Sequence, residues 1–175
     1  MEQNRVKAVI EYDGSKFKGF QIQKGEITTV VSSIESALKS LGIDSKVIGS
    51  GRTDSGVHAT GQVIHFDIPT YWKKKTLNEL KSRLNQKLTY IRFKYLKLVD
   101  NSFHAQYSAK VRVYRYLIKR TPLKVFERDF ITYRELNNLK LIKEGLKLFE
   151  GQHNFGYFKK EGSFTSSDIR TIYRT

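Results

Sequence analysis

The sequence has 175 residues and a mass of 20.4 kDa, enough chain for one domain or two small ones. Hydrophobic residues at 39% and aromatics at 13% exclude a disordered polymer, and the lack of cysteine excludes disulfide frameworks, thiolate metal sites and cysteine nucleophiles. Lys and Arg number 32 against 17 Asp and Glu, a net charge of +15, with the larger excess after residue 90; a folded chain this basic points to a polyanion, most often nucleic acid.

No apolar run approaches the roughly 18 residues needed to span a bilayer. The first residues, MEQNRVKAVIEYDG, carry neither the apolar segment nor the cleavage site of a signal peptide. A soluble, cytoplasmic protein is expected.

In chain order, Arg5–Tyr12 (RVKAVIEY) alternates as a strand does. Thr28–Leu41 places Val30, Ile34, Ala37, Leu38 and Leu41 on one helical face, with Gly42 as the stop. Lys46–Gly49 and Gln62–Phe66 are predicted strands on either side of a glycine-rich loop. Leu77, Leu80, Leu84 and Leu88 define a second amphipathic helix. Ile91–Val99 is a predicted strand with one wet face, and Val111–Ile118 (VRVYRYLI) another. Leu139, Ile142, Leu146 and Phe149 define a third helix, and Ile169–Tyr173 a last strand. Only two prolines occur, and no Gly/Ser linker interrupts the order β-α-β-β-α-β-β-α-β. The predicted class is α+β: a mixed, mainly antiparallel sheet with helices on one face, its first six elements a ferredoxin-like split βαβ unit. Residues 1–100 would form that half, and 101–175 an incomplete second α/β half. Such a sheet leaves an open face available for RNA.

The loop Gly49–Ala59 (GSGRTDSGVHA) sets Gly49, Gly51 and Gly56 around Arg52 and Asp54. Glycines there permit a positive φ and close approach of a ligand backbone. An aspartate so placed is a nucleophile, a general base, a metal ligand or a turn residue, and general statistics favour the turn. The loop is neither a Walker loop nor a GxGxxG dinucleotide motif. His58, His65, His104 and His153 show no metal-ligand spacing, and no metal site is expected. His58 is expected to order the loop by hydrogen bonding. Lys73–Lys75 and Lys159–Lys160 are solvated faces or clamps on RNA, and Phe155 and Phe158 are expected in the core.

GRTDSGVHA, followed by GQV and HFD, resembles the signature of the TruA family of tRNA pseudouridine synthases. EYDGSKFKGFQIQ, TTVVSSIESAL, RLNQKL, SFHAQYSAKVRVYRY, FEGQHNFGYF and DIRTI fall in that family's order, so the resemblance covers essentially the whole chain. It implies the pseudouridine synthase fold and the isomerisation of uridines 38, 39 and 40 in the tRNA anticodon stem-loop. It also implies a homodimer binding tRNA, and chemistry that needs no cofactor. By resemblance Asp54 is the catalytic aspartate, acting as nucleophile or base; Arg52 assists base flipping; and Tyr114 stacks on the target base. Arg170 matches a basic substrate-binding position. Alternation alone would instead put Tyr114 and Tyr116 side by side on a strand facing the core.

Phe20 stands where the family has tryptophan, Gln106 where it has arginine, and Asn154 where it has aspartate. The chain stops at Thr175, before a family segment whose arginine pairs with the catalytic aspartate. The alternative expectation is therefore a catalytically incomplete, RNA-binding fragment.

Overall fold

The computed structural model describes residues 3–25, 27–73, 76–159 and 167–175. Lys74, Lys75 and Lys160 of the two lysine runs lie outside them. The chain divides into two compact units. One runs up to Tyr116 and includes Phe126–Phe130; the other comprises Leu117–Val125 and Ile131–Thr175.

In the first unit, strand β1 (Gln3–Tyr12) leads to helix α1 (Val30–Lys39), strand β2 (Ile48–Gly49) and strand β3 (Ala59–Pro69). A short helix α2 (Thr70–Lys73), helix α3 (Leu77–Lys87) and strand β4 (Ile91–Val99) complete it. The sheet order is β2-β3-β1-β4 and every neighbouring pair is antiparallel. Because β3 lies between β1 and β2, the β-α-β unit is split, the ferredoxin-like arrangement expected from the element order.

Alternation decides which face of this sheet is dry. Val6, Ala8 and Ile10 of β1, Ile64, Phe66 and Ile68 of β3, and Phe93 and Leu96 of β4 are buried on one face. Val30, Val31, Ile34 and Leu38 of α1 and Leu80 and Leu84 of α3 pack in the same cluster. α1 starts at Thr29, whose hydroxyl accepts from the Ser32 N–H while the Ser32 hydroxyl accepts from the Thr29 N–H, a reciprocal cap. It stops where the Ile43 N–H reaches the Leu38 carbonyl and the Gly42 N–H the Lys39 carbonyl, a Schellman ending.

β2 is shorter than the predicted Lys46–Gly49 because side chains take the hydrogen bonds a longer ladder would need. Glu35 of α1 accepts from the Val47 N–H at 2.9 Å, and the Ser45 hydroxyl accepts from the Asp67 N–H at 2.8 Å.

The opposite face carries Lys7 and Glu11 from β1, His65 and Asp67 from β3, and Arg92, Lys94, Tyr95 and Lys97 from β4. Arg5 grips Asp67 through two hydrogen bonds, 2.8 and 3.0 Å, and its remaining nitrogen reaches the carbonyls of Asn101 and Phe103. That clasp lays the chain after β4 over His65, which becomes buried between Phe103 and His104 and accepts from the Ala105 N–H.

The predicted strand Val111–Ile118 does not form. Only Ile118–Lys119 pairs, as strand β5 beside β6 (Thr132–Tyr133) in the second unit. Alternation alone does not make a strand, since a strand also needs a partner ladder. Among the described residues the backbone of 109–116 makes no such bond.

The second unit continues with helix α4 (Leu139–Lys147), capped by Asn138, and an antiparallel pair, β7 (Gly151–Asn154) and β8 (Ile169–Ile172). Phe149, Phe155 and Phe158 gather with ring centroids 5.9–6.3 Å apart. This is not the core site expected of Phe155 and Phe158: Phe155 is half-buried and Phe158 exposed, and none of the described residues of this unit is buried. Among the described residues no helix is long and apolar enough to cross a membrane.

Burial, reinforced by the charges of Arg5 and His104, pushes the His65 imidazole down to about 4 from 6.5. Between those values the unfolded chain takes up a proton that the folded chain refuses, so stability falls as pH drops from about 6.5 to 4. Asp67, held below its ordinary value by the Arg5 hydrogen bond, loses its contribution only under still more acid conditions. The expected result in thermal unfolding is a declining Tm across the first window. His65→Asn, which keeps an acceptor for the Ala105 N–H, should flatten the decline.

Candidate active site

The loop between β2 and β3 is tied down along its length. At its start the Ser50 N–H donates to the Val63 carbonyl at 2.8 Å, the last bond of the β2–β3 pairing. At its centre the Thr53 carbonyl accepts from the Phe20 N–H at 3.0 Å, and the Thr53 hydroxyl shares a 2.8 Å hydrogen bond with the Tyr12 hydroxyl. Tyr12 is buried, which raises its phenol pKa and keeps it a neutral hydrogen-bonding partner. The Ser55 hydroxyl then donates to the Phe17 carbonyl at 3.3 Å.

The turn that follows closes with the Val57 N–H on the Asp54 carbonyl at 3.2 Å. Gly56, at φ +80°, supplies the left-handed residue that a type II turn needs in this place. His58 finishes the loop as expected: its Nδ1 accepts from the Gly14 N–H at 3.1 Å and its Nε2 meets the Asp129 carbonyl at 2.6 Å. The Asp13 carboxylate also lies 3.2 Å from Nδ1, so the ring is gripped from both sides of the loop's end. Phe130 lies against its ring, tilted by 36° with centroids 4.7 Å apart.

The neighbours of Thr53 lie at the surface. Arg52 and Asp54 are both exposed, and among the described residues neither side chain has a hydrogen bond or ion pair. The carboxylate thus stands free at the start of the turn, open to a ligand. Arg52 is close in sequence but forms no ion pair with it.

Tyr114 belongs to the same unit and is 68% exposed, with Tyr116 at 91%. Neither faces a core, so the placement expected from alternation is wrong, and the Tyr114 ring is free to stack. Arg170 lies on β8 in the second unit, where its Nη1 donates to the Ser167 and Ile169 carbonyls, both at 2.7 Å. Phe20 is buried against the Tyr12 ring, with centroids 6.2 Å apart.

Sequence reasoning did not identify Tyr12, Thr53, Gly14 or Arg112 as parts of the site. Gly14 is a signal that composition hides: a Cβ there would lie 2.0 Å from the Val57 carbonyl oxygen, so only glycine lets β1's end pass beneath the loop. Arg112 donates from Nε (3.1 Å) and Nη2 (2.7 Å) to the Ser50 carbonyl.

Residues 8–108 match the family model described as tRNA pseudouridine synthase. The chain is 42% identical over 171 residues to the tRNA pseudouridine synthase A of Helicobacter hepaticus, covering 95% of this chain and 69% of the relative. It is 43% identical over 168 residues to that of Wolinella succinogenes, covering 95% and 65%. A Helicobacter pylori relative of the same name is 41% identical, covering 95% and 67%. The chain spans about two thirds of the length of the curated relatives it matches.

The blocked position at Gly14 gives a direct check. Gly14→Ala should cost about 1–3 kcal/mol in urea unfolding, as overpacking against backbone does. It should also raise amide exchange in the peptide containing Val57 and His58, measured by mass spectrometry.

Proposed function

The chain belongs to the tRNA pseudouridine synthase family, and from that premise we propose that it isomerises uridine to pseudouridine at positions 38, 39 and 40 of the tRNA anticodon stem-loop. The observation that carries this reading is the outward-facing Asp54 carboxylate on a loop whose neighbouring residue, Thr53, is locked to β1 and the turn after it. The reaction breaks the N1–C1′ bond, turns the uracil and joins C5 to C1′; the proton lost from C5 is balanced by the one gained at N1. No electrons are exchanged with a co-reactant. Asp54 serves as nucleophile or base, and either role needs an ionised carboxylate at the flipped nucleotide.

Extruding the uridine costs a few kcal/mol of unstacking. Arg52, exposed beside Asp54, offsets this by occupying the vacated stack, and Tyr114 offers an aromatic face worth about 1–3 kcal/mol of base stacking. Arg170 contributes a phosphate contact. The enzyme acts in the cytoplasm as a homodimer, with residues 1–100 carrying the catalytic loop.

Charge supports the choice of substrate. The open face of β4 presents Arg92, Lys94 and Lys97 with an exposed Tyr95 among them. Lys94 is engaged by Glu11 at 3.3 Å and by the Thr60 carbonyl. Arg92 and Lys97 have no partner among the described residues, which leaves both cations for phosphate. Lysine on an edge strand also discourages edge-to-edge pairing, so the two roles coincide on this strand.

Pseudouridine mapping by carbodiimide-blocked primer extension on an unmodified tRNA transcript tests the chemistry. Modification in the anticodon stem by the 175-residue chain, lost in Asp54→Ala and Asp54→Asn with tRNA binding retained, is the expected result. Activity surviving in those variants would overturn the assignment of Asp54, and binding without turnover by the unmutated chain would favour an RNA-binding fragment. Separately, Arg92→Ala and Lys97→Ala should each weaken tRNA binding across sequences. Each should also lower the slope of log K against log salt by about one unit.

A further inference from the structure

We propose that Arg112 is a positioning residue, a guanidinium clasp that fixes the start of the Asp54 loop and fastens to it the segment bearing Tyr114; the catalytic part of this inference rests on the function proposed above. Ser50 is the last residue of the β2–β3 pairing to use its N–H in the ladder, and its carbonyl opens the loop. That oxygen accepts from two nitrogens of one guanidinium, Nε at 3.1 Å and Nη2 at 2.7 Å. A forked donor on a single oxygen fixes the direction of the peptide plane, and charge strengthens both bonds. The next carbonyl, Gly51, is held by the Gln62 side-chain amide. Two successive peptide planes are thereby set before the chain reaches Arg52 and Asp54.

Gly51 has the complementary shape. A Cβ on it would lie 3.3 Å from Arg112 Nε and 3.7 Å from its Cδ, so the guanidinium and its stem cross the loop where a side chain would stand. The arginine's own segment is otherwise unattached. Among the described residues, the two Arg112 bonds are the only side-chain hydrogen bonds made by residues 111–116, and the backbone there makes none. Tyr114, two residues further on, therefore takes its place relative to the loop through Arg112. A surface arginine merely satisfying a carbonyl would anchor one element; this one joins the two that carry the site's chemistry.

The test compares the 175-residue chain with Arg112→Ala, Arg112→Lys, Gly51→Ala and the neighbouring charge control Arg115→Ala. Amide exchange of the peptide spanning residues 49–59 is read beside that of β1. Loss of the clasp should speed exchange in the loop about 10-fold or more, with β1 unchanged; opening of a local unit need not follow global unfolding. Arg112→Lys should fall between, and Arg115→Ala should have no effect. Single-turnover modification at saturating tRNA should slow about 10- to 100-fold in Arg112→Ala, as misplacement of reacting groups does. The tRNA Kd should change less than about threefold, because one positioning group adds little to the many phosphate contacts. A rate deficit that saturating tRNA abolishes would make Arg112 a phosphate contact and overturn the proposal. So would unchanged loop exchange in Arg112→Ala. If the unmutated chain shows no turnover, the proposed function fails on its own, and the exchange measurement alone decides the clasp.

Discussion

The carbonyl of Thr53 is bonded to the backbone after β1 and its hydroxyl to the buried Tyr12. Its two neighbours in the loop, Arg52 and Asp54, are both exposed. The loop is held through the backbone groups of Ser50, Gly51, Thr53 and Asp54, while the side chains of Arg52 and Asp54 stay open to solvent. A carboxylate presented this way can meet a ligand without first being released from a partner.

The apolar core supplies the stiffness behind this arrangement. Tyr12 belongs to the same buried cluster as Val6, Ala8 and Ile10, and Phe20 packs against its ring. Displacing β1 would therefore disturb both the sheet and the floor of the loop. Gly14 allows β1's end to lie against Val57, and His58 closes the contact by accepting from the Gly14 N–H. The Arg5–Asp67 clasp works at the far end of the same strand, drawing the chain after β4 across His65. Burial in the described residues is confined to this first unit. The second keeps regular helix and strand pieces with their apolar side chains half-buried or exposed.

Legibility in the sequence followed the range of the interactions. β1, α1, α3 and β4 were readable because burial on one face imposes a period of 2 or 3.6 on adjacent residues. Val111–Ile118 has the same kind of alternation as β4, yet of its residues only Ile118 finds a strand to pair with. Tyr114 and Tyr116 were placed inward by the same reasoning and are exposed for the same reason. β2 was read too long because nothing local announces that Glu35 and Ser45 would claim the ladder's hydrogen bonds.

By itself, the sequence determined the α+β class, the basic character suited to a polyanion, and the chemical inventory of the loop: an aspartate, an arginine and the glycines around them. The family signature in GRTDSGVHA was likewise a property of contiguous residues. Tertiary structure alone decided what holds that loop, since Tyr12, Gly14 and Arg112 lie 62 residues or fewer away along the chain but at bonding distance in space. Hydrogen bonds and steric exclusion act over a few ångströms whatever the sequence separation. The partners that aim Asp54 are therefore fixed by where the fold brings the backbone, and no local pattern of residues records them.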